Sequence, residues 1–222
     1  EDGERARAGW YALLEHAEAF GTGIVAGFTG RLPDQPIESS IPRFVEVFGP
    51  IAEEADRKGM KIAFENCSMG GNWTRGDWNI AHGPDAWSLM FDALPQDCLG
   101  LEWEPCHQMV NLIDPLPQLR EWVHRIFHVH GKCSTIENDT IRKYGIGSSK
   151  KFAFHRTPGF GDTNWTDVFS ILRAGGYQGA IDIEGWHDPV YNDELEMTGQ
   201  VYALNYLKKC RGGAFVANPR VD

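Results

Sequence analysis

The sequence predicts an α/β fold in which helices connect the strands of a parallel sheet. Short apolar runs alternate along the chain with segments of helical periodicity. The 222 residues are 42% hydrophobic and 23% charged, a balance typical of a globular chain. About six strands fit an eight-stranded barrel of ~250 residues that lacks roughly its first two units upstream of Glu1. An open doubly wound sheet is the alternative, although no GxGxxG or GxxxxGK[ST] phosphate loop supports it.

The elements follow one another without a low-complexity tract or linker, so we treat residues 1–222 as one domain. Apolar runs bounded by polar or glycine residues predict strands at 22–28, 61–66, 99–104, 126–130, 152–156 and 179–184. Helical periodicity and capping residues predict helices at about 41–58, 84–93, 115–125, 165–174 and 202–209. Asp114, followed by proline, and Asn164 are the expected N-caps of the third and fourth helices.

Charge and cysteine content limit the function classes. The formal net charge of −10 disfavours a nucleic-acid partner, since an acidic surface repels phosphate. No apolar run is long enough for a transmembrane helix, and the first ten residues lack the apolar core of a signal peptide. The five cysteines are widely spaced and form no CxxC motif, which favours a reduced, cytoplasmic protein.

Four predicted strands carry apolar side chains on one face and ionisable side chains on the other, because side chains alternate along a strand. The ionisable residues are Glu65; Glu102 and Glu104; His128 and His130; Asp182 and Glu184. An antiparallel sheet with one wet face is the alternative, but the intervening helices argue for a covered parallel sheet. Buried charges cost several kcal/mol each unless they are compensated, and a divalent cation compensates carboxylates directly. Three carboxylates with one imidazole favour Mn²⁺ or Mg²⁺ over a thiolate-rich zinc site.

Five motifs in order, KIAFENC, LEWEPCH, FHVHGK, TPGFGDTNW and GYQGAIDIE, resemble the sugar phosphate isomerase/epimerase family with the xylose isomerase-like TIM barrel. The resemblance covers roughly residues 20–210. It implies a (β/α)8 barrel with one divalent metal, Mn²⁺ first and Mg²⁺, Co²⁺ or Zn²⁺ as alternatives. Carried over by position, the metal ligands are Glu65, Glu104, His130 and Glu184, and Glu65 and Glu184 are also the catalytic acid and base.

The same resemblance, together with position at strand ends, nominates substrate contacts. His107, three residues after Glu104, is expected to bind substrate. Lys132 is a candidate for neutralising a substrate oxygen. The alternative is that Lys132 is exposed or forms a salt bridge. His155 and Arg156 precede a glycine-rich turn, and Trp186 and His187 follow the last ligand, so all four are further substrate-binding candidates.

The resemblance implies proton abstraction next to the carbonyl of a keto sugar through a metal-stabilised enediolate, giving an isomerase or epimerase. The alternative is a lyase of the same superfamily, either inosose dehydratase-like or a 3-keto-C-glycoside deglycosidase large subunit. We expect a small carbohydrate substrate, no nucleic-acid or membrane partner, and a homo-oligomer or a complex with a small β-rich subunit. Glu104 replaces the family's usual Asp, and Gly185 to Asp188 replace its usual His-Glu-Asp, so the substrate stays open.

Overall fold

Five parallel strands form the central sheet in the order β1-β2-β3-β4-β7. The computed structural model describes residues 2–185 and 187–218. The strands are β1, Ile24–Gly27; β2, Lys61–Glu65; β3, Leu99–Trp103; β4, Ile126–Gly131; and β7, Ile181–Ile183. Strand order follows chain order without the reversal that defines a doubly wound sheet. The parallel α/β prediction is therefore confirmed, and the strand order is that of a barrel wall.

One predicted strand lies outside this sheet. Residues 153–156 form β6 (Ala153–Arg156), which pairs antiparallel with β5 (Cys133–Ile136) in a separate two-stranded sheet. The prediction of about six strands in one parallel sheet is therefore wrong. β5 begins two residues after β4 ends, so the chain has no room for the helical crossover that a parallel neighbour requires. Apolar periodicity identifies a strand but not its partner.

Helices connect these strands, and most lie close to where the sequence places them. Their bounds are α1, Asp2–His16; α2, Ile37–Arg57; α3, Pro84–Ala93; α4, Pro105–Met109; α5, Pro115–Trp122; α6, Asn138–Tyr144; α7, Trp165–Ala174; and α8, Glu196–Cys210. The side chains of Asp114 and Asn164 accept hydrogen bonds from backbone N–H groups of α5 and α7, as expected for N-caps. The helices α1, α4 and α6 were not predicted. No helix among the described residues is long and apolar enough to cross a membrane.

The apolar core lies between the outer face of the sheet and the helices. Trp10 of α1 packs edge-on against Phe48 of α2 and Phe64 of β2, with ring centroids 5.5 and 6.2 Å apart. Phe48 and Phe64 make a perpendicular contact at 4.9 Å. Trp10, Leu14 and Ala17 are buried at helical spacing, and this pattern is the signal for α1. The first helix therefore belongs to the same core as the sheet.

Strand β4 departs from the predicted alternation near its start. The register between β3 and β4 shifts between Leu101 and Glu102, which is a β-bulge. Ile126 and Val129 belong to the main core cluster, whereas Phe127, which was predicted to share the apolar face with Val129, is buried outside that cluster. The Phe127 ring occupies the space that a Cβ atom at Gly100 would need, so glycine permits this close approach.

The segment after β7 is fixed by one buried carboxylate. Asp188 accepts hydrogen bonds from Arg156 Nε at 3.0 Å and from the backbone N–H groups of Thr157, Val190 and Tyr191 at 2.8, 2.9 and 3.1 Å. Burial alone would raise the pKa of Asp188, but these donors outweigh it and lower the pKa. The carboxylate thus ties the chain after β7 to the end of β6.

Replacement of Trp10 by alanine should lower the free energy of unfolding by about 3–5 kcal/mol, because it leaves a cavity among buried aromatic rings. Urea denaturation followed by circular dichroism measures this. Leu13→Ala on the same helix, where Leu13 is 49% exposed, is the control and should change stability by less than about 0.5 kcal/mol. Equal, small effects at both positions would contradict the assignment of α1 to the core.

We expect Asp188→Asn to lower the free energy of unfolding by about 2–3 kcal/mol at pH 7, the range for hydrogen bonds to a charged group. Since the folded-state pKa of Asp188 is lowered, this stabilisation is complete above the usual Asp value of about 4 and is lost as the pH falls through the folded pKa. Denaturation from pH 7 to pH 3 tests the trend. Asp139→Asn, at a side chain that is 97% exposed, is the control. A stability difference that does not depend on pH would contradict the charged-acceptor role.

Candidate metal centre and active site

The ionisable residues meet at the carboxyl edge of the sheet because neighbouring strands are staggered. Glu65 pairs with Glu102 across β2 and β3, Glu102 pairs with His128 across β3 and β4, and His130 pairs with Asp182 across β4 and β7. This stagger is expected from tilted strands in a barrel wall. A residue at the end of β2 is therefore level with residues that lie before the ends of β3 and β4.

Glu104 and Glu184 extend beyond the ends of their strands. Glu104 follows β3 directly, and Pro105 begins α4, so Glu104 stays extended at the strand end. The backbone N–H of Glu184 donates to Gly131 O at 3.2 Å, which fixes Glu184 beside the end of β4. Both carboxylates are thus held next to the His130 side chain.

The four residues that the sequence nominates as metal ligands lie together. Potential ligand atoms of Glu65, Glu104 and His130 are all within 4.8 Å of one another. Glu184 Oε2 is 3.4 Å from His130 Nδ1, and Glu104 Oε2 is 3.9 Å from the same atom. Glu104 is fully buried, and the other three are partly buried. Four strands therefore deliver three carboxylates and one imidazole to one centre.

Several of these atoms are buried without a hydrogen bond. They are both carboxylate oxygens of Glu104, His130 Nδ1 and Glu184 Oε2. His107 Nε2 lies 2.6 Å from Glu104 Oε1, but the contact lacks the alignment of a hydrogen bond. Buried polar atoms are normally paired, and a cluster of unpaired oxygen and nitrogen atoms is what a bound cation satisfies. The residues present therefore fit a divalent metal.

The electrostatics of these side chains point the same way. Burial and the nearby Glu104 and Glu102 charges raise the pKa of Glu65 to about 7. Burial also acts on Glu104, but His107, Lys132 and His130 outweigh it and lower the pKa of Glu104 to about 2. Burial lowers the pKa of His130, whereas Glu102, Glu104 and Glu184 raise it to about 9. Repulsion within such a cluster is offset by protons or by cations, and a divalent metal ion is one such cation.

Lys132 is buried beside the centre rather than exposed. Its Nζ lies 2.7 Å from Glu184 Oε1 and 3.8 Å from Glu104 Oε2, and the residue is only 2% exposed. The salt-bridged alternative is thus the observed one. The Lys132 ammonium offsets the carboxylate charge that one divalent cation would leave uncompensated.

Three imidazoles form one wall next to these carboxylates. The ring of His155 lies between those of His107 and His187, with centroid distances of 5.0 and 5.5 Å. His187 Nδ1 is also 3.3 Å from Glu184 Oε1. Burial, with the neighbouring His107 and Lys132 charges, lowers the pKa of His155 to about 3, so this ring is neutral. Arg156, by contrast, binds Asp188. Trp186 lies outside the described residues.

Two asparagines that the sequence analysis did not single out fix the ligand backbones. Asn66 is fully buried and forms a reciprocal pair with Glu104: Nδ2 donates to Glu104 O at 2.9 Å, and Oδ1 accepts from Glu104 N at 3.0 Å. Asn79 Nδ2 donates to Glu65 O at 2.8 Å and to Cys67 O at 2.8 Å. The position of Asn66 directly after Glu65 was the available signal.

Relatives and solved structures agree with this architecture. An inosose dehydratase of Clostridium perfringens is 25% identical over 167 residues, which cover 72% of this chain and 50% of that protein. A xylose isomerase domain protein from Planctomyces limnophilus superimposes with a TM-score of 0.67 at 19% identity, over 92% of this chain and 64% of that one. An L-ribulose 3-epimerase gives 0.65 at 16% identity, over 94% and 69%.

The chain spans 37–51% of the length of the curated relatives it matches, all of them inosose dehydratases. The family model described as "Xylose isomerase-like TIM barrel" matches residues 1–210, which includes every strand of the sheet. The fold predicted from the motif resemblance is thereby confirmed, and the chain belongs to the xylose isomerase-like TIM barrel family.

Proposed function

We propose that this chain carries the centre of a divalent-metal-dependent enzyme that abstracts a proton next to the carbonyl of a keto sugar or a related polyhydroxy ketone. The convergence of Glu65, Glu104, His130 and Glu184, with buried atoms that lack hydrogen bonds, is the observation that carries this proposal. The principal form of the proposal is an isomerase or epimerase. The inosose dehydratase relatives favour a lyase as the second candidate.

The same four residues would hold the metal. An oxygen-rich set with one imidazole suits Mn²⁺ best, with Mg²⁺, Co²⁺ or Zn²⁺ as alternatives. When bound, the cation supplies Lewis acidity that stabilises the negative oxygen developing as the neighbouring carbon loses its proton. The reciprocal pair between Asn66 and the Glu104 backbone keeps two ligand strands in fixed relation.

Glu65 and Glu184 are the proposed proton-transfer groups. They extend from β2 and from the end of β7, which are separated in the sheet by β3 and β4. They therefore approach a bound substrate from different sides, so one can remove a proton while the other returns one. Lys132 and His187 contact Glu184 Oε1, which orients this carboxylate. Proton return gives an isomer or epimer; expulsion of a hydroxyl from the adjacent carbon gives a dehydration product.

The histidine wall supplies substrate contacts. His107, His155 and His187 present ring nitrogens that can donate to or accept from hydroxyl groups, which suits a polyol. Lys132 and Arg156 are already engaged by Glu184 and Asp188, so we assign them to support of the pocket before direct binding. Trp186 remains a predicted contact. A cytoplasmic location, a homo-oligomer and a small β-rich partner subunit also remain predictions.

Metal binding tests the centre directly. The wild-type chain should bind one Mn²⁺, and Glu104→Gln should weaken that affinity by at least about 100-fold, because a neutral amide replaces a ligand carboxylate. Electron paramagnetic resonance of free Mn²⁺ measures the dissociation constants of the wild-type chain and of the variant. Glu121→Gln, at an exposed glutamate, is the control and should bind as tightly as wild type. Wild type that binds no divalent cation would overturn the proposed centre.

Turnover in D₂O tests the reaction and separates its two forms. The Mn²⁺-loaded protein is incubated with ketohexoses and with a keto-inositol, and the products are followed by NMR. An isomerase or epimerase gives a new sugar with deuterium at carbon, whereas a lyase gives a conjugated ketone that absorbs in the ultraviolet. Glu184→Gln should abolish both outcomes, and near-wild-type turnover of this variant would refute its proton-transfer role.

A further inference from the structure

Glu102 is a buried carboxylate that is not a proposed metal ligand, and it contacts His130, which is the proposed imidazole ligand. Glu102 is 7% exposed, and its Oε1 lies 2.9 Å from His128 Nδ1 and 3.3 Å from His130 Nε2. The opposite nitrogen of His130, Nδ1, faces Glu184 and Glu104 at 3.4 and 3.9 Å. The two ring nitrogens of His130 therefore contact different carboxylates. Nε2 lies beside Glu102, and Nδ1 lies beside the proposed ligands Glu104 and Glu184.

A carboxylate beside a ring nitrogen determines which nitrogen carries the proton, because an ionised carboxylate only accepts hydrogen bonds. We propose that Glu102 is a positioning residue that holds His130 with its proton on Nε2 and thereby presents Nδ1 to the divalent cation. This inference rests on the proposed function for the identity of the cation, and it adds how the imidazole ligand is oriented.

Glu102 could instead be a ligand, since it lies near His128 and His130 in a group with metal-binding potential. The hydrogen bonding argues against this reading. Among the described residues, the buried atoms without a partner include those of Glu104, His130 and Glu184, but none from Glu102 or His128. Glu102 Oε1 is hydrogen-bonded to His128 Nδ1 and lies 3.3 Å from His130 Nε2, as expected of a carboxylate that supports a ligand.

Glu102 is itself held in place from the other side. His128 Nε2 lies 2.8 Å from Asp182 Oδ2, so His128 bridges two carboxylates across β3, β4 and β7. The Asp182 side chain is 69% exposed, whereas that of Glu102 is 9% exposed. A well-hydrated carboxylate contributes little to a contact of this kind. Glu102 should therefore control His130, and Asp182 should matter much less.

The test compares Mn²⁺ affinity among Glu102→Leu, Glu102→Gln and Asp182→Asn, with unfolding midpoints measured in parallel. Loss of an outer carboxylate partner typically costs 10–100-fold in metal affinity. We expect that loss for Glu102→Leu, a smaller loss of about threefold for Glu102→Gln, which keeps an oxygen acceptor for Nε2–H, and no change for Asp182→Asn. Glu102→Leu with wild-type affinity would overturn the inference, while the Glu104→Gln result separately decides the proposed centre.

A spectroscopic measurement reads the protonation of His130 in the wild-type protein itself, and a variant serves only for assignment. Long-range ¹H–¹⁵N correlation spectra of the Zn²⁺-loaded protein report which nitrogen of His130 is protonated, and His130→Gln assigns the signals. We expect a proton on Nε2 and coordination through Nδ1. Coordination through Nε2 would overturn the proposed role of Glu102, whatever the affinities of the variants.

Discussion

Repulsion among buried carboxylates is the constraint on which the site depends. Glu65, Glu102, Glu104 and Glu184 meet at one edge of the sheet, where water cannot screen them fully. Burial first, and then the charges of Glu104 and Glu102, raise the pKa of Glu65. Such a cluster is stable only with positive charge inside it, and Lys132 and His128 supply part of that charge.

The remaining charge is the role we assign to a divalent cation. Positive groups of the protein contact two of these carboxylates. Lys132 Nζ donates to Glu184 Oε1, and His128 Nδ1 is hydrogen-bonded to Glu102 Oε1. Among the atoms left without a hydrogen bond, His130 Nδ1 lies 3.4 Å from Glu184 Oε2 and 3.9 Å from Glu104 Oε2. Protein cations contact these carboxylates, and several of their atoms have no hydrogen bond, which is the arrangement expected at the proposed cation site.

Much of this arrangement could be predicted from sequence because it depends on alternation within single strands. Glu65, Glu104, His130 and Glu184 each follow an apolar run, and parallel strands bring such ends to one edge. The metal role of these residues came from the family resemblance and stays a prediction. Capping residues located α5 and α7 by chemistry that is also local.

What the sequence could not supply depends on relations between segments. At the bulge between β3 and β4, Phe127 is buried outside the main core cluster, and the antiparallel pairing of β5 with β6 replaces a sixth parallel strand. Neither leaves a mark in a single run of residues. For the same reason the sequence predicted that Arg156 binds substrate. Its observed partner, Asp188, lies 32 residues away in the chain, so the pairing could not be seen in a local motif.

The stagger between strands explains how proposed metal ligands and their supporting residues both lie at one edge of the sheet. Glu65 is level with Glu102, so the proposed ligand on β2 has the proposed supporting residue as its neighbour on β3, and Glu104 lies one pleat further along. The same offset relates Asp182 to Glu184 and His128 to His130. In an unstaggered sheet, residues at one level would form a single row of ligands. Because tilt offsets the levels, Glu104, His130 and Glu184 lie at the proposed centre, while Glu102, His128 and Asp182 contact one another one pleat earlier, and Glu102 also contacts His130.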